Sequence, residues 1–462
     1  MYIINQIETK KGKRCLIIDN YKFSEVNRLK DGSIRFRCTN RKCNANVYVN
    51  ELLNEVLTVT NFPHSHLEMA TDYVKLETIR TAVKRKAEDD LHAKPNKVIL
   101  KTIEESGLAG DIEHEDIKLL RKSMYAVRRH HYPTLPRDID ETFNQLYTEQ
   151  SHIVYKGEQF CFVNIEKRII LFTCKDNLRQ LCVSKIAFAD GTFSYSPSFF
   201  TQLYTIHVHT NDFYIPVIYC CLQSKSTQCY LNMWSEIKNL CMSLVGLELH
   251  IDCLYMDFEC GAHSAARMSF PNIKVLCCAF HLAQSFYRKI QCNKSLLKEY
   301  RNKHSEIGNW LKWFYGLAFL PCQEVSEGFA DLVSIAPTTD MTFADYVLHT
   351  YVEEDSTYPP VLWAAKPSHS PRTTNGPESF HSFYNSQFYH AHPNIYNVID
   401  VLKTFQTLSN TKFNSIKRGR KNIVRKETTE KNNLIKFYWL EYQGGNITRL
   451  QYIKKIGMTK QV

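Results

Sequence analysis

KIAFADG, residues 185–191, is a short apolar run that ends on Asp190 and a glycine. An apolar run closed by a turn signal reads as a strand. Outward from it, Phe199–His209 and Phe213–Leu222 are two further β-prone runs, with Thr210-Asn211-Asp212 as the turn of a hairpin. Residues 228–244 then space Leu231, Met233, Trp234, Ile237, Leu240, Cys241 and Leu244 at roughly helical intervals, as one buried face of a helix requires. HIDCLYMD, residues 250–257, is a fourth strand ending at Asp257. Ala262–Met268 is a short helix and Lys274–Phe280 a fifth strand. The order β-β-β-α-β-α-β predicts a mixed sheet with helical crossovers.

In that order the first and fourth strands each end on an aspartate, Asp190 and Asp257. Two-metal phosphodiester chemistry needs carboxylates that hold two divalent ions about 3.5–4 Å apart, and hard oxygen ligands suit Mg²⁺ or Mn²⁺. A ribonuclease-H-like sheet presents such a pair from its first and fourth strands, and a later helix adds a third carboxylate. Asp-Gly is also an ordinary turn, and a strand-end aspartate an ordinary cap; the matched positions are what point to a metal pair. Glu378 is the candidate third ligand. It follows Thr374-Asn375-Gly376-Pro377, a helix start with proline in its first turn. The residues alone leave it open between metal ligand and complement to the helix dipole. Glu259 is a reserve ligand, and His263 and His381 lie near these positions in sequence. Cys278-x-x-His281 is either part of a metal site or a pair that orders a strand-to-helix junction.

A second metal pattern lies near the start: Cys38-x4-Cys43, twenty residues, then His64-x-His66. Two thiolates and two imidazoles make a tetrahedral structural zinc set. Residues 1–66 read as short strands, with turns at Lys11-Gly12 and Asp31-Gly32. So small a β-rich module has little core, and zinc binding supplies folding energy directly.

The chain has 462 residues, 44% of them hydrophobic, enough for two or three folded domains. No run of 18 apolar residues and no leader-like start is present, so a soluble intracellular protein is expected. Sixteen cysteines without an export signal are read as buried thiols and metal ligands, not disulfides. The net charge is +11 and clustered. Lys417, Arg418, Arg420, Lys421, Arg425 and Lys426 form one group, Lys84–Lys86 another, and Arg121, Lys122, Arg128 and Arg129 a third. Such groups attract phosphate backbones, though any one of them can equally be a solvated helix face. The expected layout is a zinc module at 1–68 and a helical connector, a candidate DNA binder, at 69–150. A sheet domain at 151–390 follows, with an all-helical insertion at about 285–370, and a basic helical region at 391–462. The fold class is thus mixed α/β and α+β, multidomain.

Two resemblances sharpen this. Lys11-Gly12, Leu16, Asn20-Tyr21, Phe36-Arg37-Cys38, Cys43-Asn44-Ala45 and His64-Ser65-His66 make residues 3–66 similar to a FLYWCH-type zinc finger, with Phe36 where that family carries Trp. The resemblance implies Cys38, Cys43, His64 and His66 as zinc ligands, and DNA binding or protein interaction. Residues 165–390 resemble the Mutator-like (MULE) transposase domain. The matching stretches are Ala189–Phe193, Phe200–Tyr204, Asp257-Phe258-Glu259, Phe270-Pro271, Cys278–Gln284 and Arg372–His381. That resemblance implies a catalytic triad of Asp190, Asp257 and Glu378 using two Mg²⁺ or Mn²⁺ ions. The expectation is a nuclear, multimeric DNA transposase. Its finger and helix 119–131 would bind double-stranded terminal inverted repeats, and its freed 3′-hydroxyls would attack target DNA. The alternatives are a domesticated, inactive DNA-binding regulator and a FLYWCH protein-interaction factor with a transposase remnant.

Overall fold

Strands with one buried face alternate apolar and polar residues, and short segments of that kind recur from residue 4 to residue 60. In the computed structural model, which describes residues 2, 4–8, 13–61, 63–91, 93–367 and 375–459, they form six strands. These are β1 (Ile4–Glu8), β2 (Arg14–Ile18), β3 (Tyr21–Arg28), β4 (Ile34–Cys38), β5 (Asn46–Val49) and β6 (Val56–Thr60). They pair antiparallel in chain order. Asp19 and Asn20 take positive φ between β2 and β3, the conformation a two-residue hairpin turn needs and Asx residues tolerate. Gly32 takes φ +84° beside Asp31, whose Oδ1 accepts the Ser33 N–H at 2.9 Å. The Lys11-Gly12 turn lies outside the described residues. Phe36 is fully buried with Leu16, Ile18, Phe23, Ile34, Val47 and Val49.

Three helices follow: α1 (Thr71–Asp89), α2 (Pro95–Ser106) and α3 (His114–His131). They share a core of Ile79, Val83, Ala87, Ile99, Ile103, Leu120 and Met124. A capping box between Glu113 and Asp116 starts α3, and the helix stops just before Pro133. The chain divides into two compact units, residues 1–135 and 136–462.

The second unit opens with α4 (Ile139–Glu149), capped by Asp138, whose side chain accepts the Glu141 N–H. Although the sequence suggests α4 as the tail of the connector, its buried Phe143 and Leu146 belong to this unit. A two-residue ladder, β7 (Val154–Tyr155) with β8 (Glu158–Gln159), precedes the main sheet. That sheet comprises β9 (Cys161–Asn164), β10 (Ile169–Phe172), β11 (Ile186–Thr192), β12 (Gln202–Thr210), β13 (Phe213–Leu222), β14 (Cys253–Met256) and β15 (Lys274–Cys277). Helix α5 (Lys175–Val183) leads into β11; α6 (Thr227–Leu240) and α7 (Cys260–Ser269) are the crossovers before β14 and β15.

The strand order is β15-β14-β11-β12-β13-β10-β9. The β11–β14 and β14–β15 pairs are parallel and the rest antiparallel. Tyr230, Met233, Trp234 and Ile237 of α6, with Ala262, Ala265 and Ala266 of α7, bury one face against Ala187, Ala189 and Ile206. The opposite face carries Phe188, Tyr255 and Leu276. The β-β-β-α-β-α-β order read from the sequence stands, and β10 and β9 extend it.

After β15 the chain is helical: α8 (Ala279–Gln291), α9 (Lys294–Arg301), α10 (Glu306–Trp313), α11 (Val325–Ser334) and α12 (Thr342–Val347). Then come α13 (Asn375–Ser386), α14 (Ile395–Lys417), α15 (Lys426–Gln443) and α16 (Arg449–Thr459). Residues 391–462 do not stand apart as the sequence suggests. Helix α14 lies on the sheet, where Ser409 and Lys412 donate to the Pro216 and Tyr214 carbonyls of β13; Gln406 bonds Asn177 of α5, and Phe405 packs on Phe380 of α13 at 4.8 Å. Ile435 and Trp439 of α15, and Tyr452, Ile453 and Ile456 of α16, complete the core of the insertion around Trp310 and Phe314. Two glycines allow that close approach: a Cβ on Gly316 would lie 2.3 Å from the Ile453 carbonyl, and one on Gly457 2.5 Å from that of Lys312. None of the sixteen cysteines forms a disulfide.

Candidate functional site

Cys38 ends β4, Cys43 follows a tight turn, and the His64-x-His66 segment follows β6. The four ligand atoms lie within 4.8 Å of one another. Cys38 Sγ is 3.2 Å from His66 Nε2, and Cys43 Sγ is 3.3 Å from His64 Nδ1. A tetrahedral zinc site with ordinary Zn–S and Zn–N bonds has S···N edges of ~3.6 Å, so the cluster fits a zinc ion. The ring orientations agree. His66 Nδ1 lies 2.8 Å from the Leu67 carbonyl, so Nδ1–H donates there and the Nε2 lone pair faces Cys38. Tyr21 stacks on His64 with ring centroids 3.6 Å apart. Burial opposes ionisation of Cys43, but backbone N–H groups of Ala45 and Ser65 outweigh it and bring the thiol down to about 7. Burial, with His66 beside it, lowers the His64 imidazole. Both shifts favour the metal-binding protonation state.

The acidic residues gather at the other sheet. Asp257 directly follows β14, at the strand end expected for it. Asp190 instead lies inside β11 and is buried, because pairing with β12 continues to Thr192. The parallel ladder matches Ile186 with Cys253, Ala187 with Leu254 and Phe188 with Tyr255. Two residues further along, the same register brings Asp190 level with Asp257. Phe188 and Tyr255, two residues earlier on each strand, stack at 4.9 Å. Because side chains alternate, both aspartates leave that same face on strands ~4.8 Å apart.

Glu378 is delivered by the first turn of α13. Gly376 lets the helix start close: a Cβ there would lie 2.1 Å from the Tyr214 ring. Between the acids stands His281, in the first turn of α8, with Nδ1 3.4 Å from Asp257 Oδ1 and Nε2 3.5 Å from Glu378 Oε1. Cys278, the N-cap of that helix, has Sγ 3.9 Å from the same Glu378 oxygen. Burial pulls the His281 imidazole down, but Cys278, Asp257 and Asp190 outweigh it and push it up to about 10. Asp190, Asp257 and Glu259 also line a small cleft with Gly191, Phe193, Tyr204 and Ala262. Burial raises the Glu259 carboxyl against the opposing pull of Tyr230 and Lys225. Lys225 lies 3.8 Å over the exposed Phe193 ring at the same cleft.

The two flanking histidines differ. His263 is buried, with Nε2 2.7 Å from the Asp257 carbonyl and 3.7 Å from Cys277 Sγ, so it braces the backbone behind Asp257. His381 faces the acid itself: Nδ1 is 3.1 Å from Asp190 Oδ2 and Nε2 is 2.9 Å from Thr205 Oγ1. Thr205 Oγ1 is in turn 2.9 Å from His207 Nε2. Sequence reasoning missed Thr205 and His207, which look like ordinary strand residues; only the pairing of Thr205 with Asp190, and of His207 with Phe188 two residues earlier on the same face, gives them away.

The basic clusters separate by environment. Arg128 is buried and donates to the Asp90 and Ala93 carbonyls at 2.8 and 2.7 Å. Arg121 donates to Asn96 Oδ1 at 2.7 Å, and Lys86 pairs with Glu105. Lys122 and Arg129 lie on the exposed side of α3, aligned with Lys118 and Tyr125 at helical spacing. Lys417, Arg418, Arg420 and Lys421 are exposed where α14 ends. That loop is held to the β12–β13 turn by Asn422 N–H donating to the Asn211 carbonyl at 3.0 Å. This turn lies five residues along β12 from Thr205, the partner of Asp190, so ~17 Å from the acidic end.

No helix among the described residues is long and apolar enough to cross a membrane. Against known families, residues 186–285 match the MULE transposase domain and residues 6–66 the FLYWCH zinc finger domain. A search of the curated proteins finds no match.

Proposed function

We propose that this chain, which carries a FLYWCH zinc finger domain and a MULE transposase domain, is a DNA transposase that cuts and joins phosphodiesters at Asp190, Asp257 and Glu378. The observation that carries the reading is the shared register level of Asp190 and Asp257, with Glu378 brought to the same His281 side chain that faces Asp257. The β13-β12-β11-β14-β15 run supports a ribonuclease-H-like sheet, in which the first and fourth strands supply such a pair.

Three carboxylates are a hard donor set that suits a pair of Mg²⁺ or Mn²⁺ ions. Asp190, Asp257 and Glu378 would hold those ions, with Glu259 close enough to join them. When bound, the ions supply a deprotonated water or 3′-hydroxyl and neutralise charge on the leaving oxygen. The chain's own residues do the positioning. The β11–β14 ladder fixes the spacing of the two aspartates. Gly376 and His381 dock α13, and with it Glu378, against the sheet. Phe193 and Lys225 present a ring and a cation beside the acids, where a nucleotide would lie. In-line displacement at phosphorus asks for this positioning and no covalent enzyme intermediate.

The zinc-held finger, and the Lys122–Arg129 face of α3, would bind double-stranded terminal inverted repeats. The exposed 417–421 loop, remote from the acids, suits backbone contacts further along the DNA. Joining two element ends calls for a multimer, and the substrate calls for a nuclear location. Supercoiled-plasmid cleavage by the full chain, with matching inverted repeats and Mg²⁺ or Mn²⁺, tests the reading. Cleavage lost in Asp190→Ala and Asp257→Ala, with DNA binding kept, is expected. A wild type that binds its ends and never cuts with either metal overturns the enzyme and leaves a DNA-binding regulator.

A further inference from the structure

The two-metal reading gives neither Cys278 nor His281 a metal to bind, although both crowd Glu378. Their spacing is set by the β15–α8 junction: Cys278 caps the helix and His281 lies one turn in, on the same side. Helix α13 delivers Glu378 opposite them. Ligand atoms of Cys278, His281 and Glu378 all lie within 4.8 Å of one another. The Sγ–Oε1 distance is 3.9 Å and the Nε2–Oε1 distance 3.5 Å. Tetrahedral zinc has S···O edges of ~3.6 Å and N···O edges of ~3.3 Å, so a contraction of a few tenths of an ångström closes both edges at Glu378. Thiolate and imidazole favour zinc over magnesium, and three protein ligands leave a fourth position open. A separate feature agrees. His281 Nδ1 is buried without a well-formed hydrogen bond and faces Asp257 at 3.4 Å. A carboxylate behind a histidine whose other nitrogen binds the metal is the usual outer shell of a zinc site.

We propose that Cys278, His281 and Glu378 bind a second zinc ion, separate from that of the finger, with Asp257 orienting His281. Glu378 then belongs to two centres, one soft and one hard. Zinc in the first withdraws a ligand from the second, so Zn²⁺ and Mg²⁺ exclude each other and zinc holds the transposase inactive. The competition rests on the two-metal reading; the zinc site itself does not.

Zinc content of the full chain, measured by elemental analysis after equilibration in buffered zinc, tests the site without any cleavage assay. About two ions per chain are expected in the wild type, falling to about one in Cys278→Ser, in His281→Asn and, independently, in Cys38→Ser. A wild-type content of one ion, abolished by Cys38→Ser, overturns the proposal. Should the variants at 278 and 281 fail to fold, the wild type still decides: excess Mg²⁺ should release one of its two zinc ions, and release of neither sinks the competition. If the chain also cuts DNA, micromolar zinc should inhibit it, and Cys278→Ser should need at least tenfold more. Equal inhibition of both proteins overturns the sharing of Glu378. A chain that counts two ions but never cuts retains the zinc site and loses only the nuclease reading.

Discussion

His381 and Asp190 are joined by a 3.1 Å contact between an imidazole Nδ1 and a carboxylate oxygen, 191 residues apart in the chain. A carboxylate only accepts, so Nδ1 carries the proton, and Nε2 meets Thr205 Oγ1 on the other side. One oxygen of Asp190 is thereby fixed, and the helix that holds it also carries Glu378.

His381 is therefore expected to act through its neighbour as a positioning residue. His381→Ala should raise the Mg²⁺ concentration for half-maximal cleavage by roughly 10–100-fold. His381→Asn keeps a donor near the place of Nδ1 and should recover most of the loss. A metal titration curve unchanged in His381→Ala, with only the melting temperature lowered, would leave the contact purely structural.

Removing zinc from the finger should unfold residues 13–61 and spare the sheet of the second unit. Binding free energy of roughly 10 kcal/mol or more stands behind such a four-ligand site. Hydrogen exchange on the full chain, with and without a chelator, reads both units at once. Protection that persists in β2–β5 after chelation would show that the Phe36 core holds alone.

The basic residues of α3 should divide into two classes. Lys122→Ala and Arg129→Ala should weaken DNA binding, each lowering the salt-dependence slope by about 0.9. Arg128→Ala should instead destabilise the first unit by about 1–3 kcal/mol, because two backbone carbonyls lose their donor. Denaturant melts and salt-titrated binding curves, run on the same three proteins, check the division. A steeper salt slope in any of them contradicts it.

Gly457→Ala puts a methyl group 2.5 Å from the Lys312 carbonyl. Overpacking of this kind costs roughly 1–3 kcal/mol, so thermal unfolding of the second unit should move down by several degrees. An unchanged melting temperature would mean that α16 does not seat against α10.

The main sheet was legible because its strands are β-prone runs with turns between them, and the aspartates sit where those runs stop. The finger was legible because metal ligands keep a fixed spacing whatever lies between. Other features have no local signature. Tyr452, Ile453 and Ile456 announce an apolar stripe but not its partner, so the sequence alone leaves α16 in a separate tail, whereas it packs with Gly316 and Trp310. Arg128 and Arg129 are neighbours of one charge and one type, yet a helix turns one inward and the other out. The link from His381 to Asp190 depends on α13 crossing the sheet, which no pattern within either segment encodes.

The seating of α16 against Gly316 also imposes an order of assembly. Residues 279–365 leave the ribosome well before the helix at 449–459 that fills their core. Until that helix arrives, the insertion exposes apolar surface, including the inner face of α8, whose first turn carries His281. The side chain that faces both Asp257 and Glu378 therefore rests on a helix whose packing waits for residues 449–459, and any cleavage these acids carry out would wait with it.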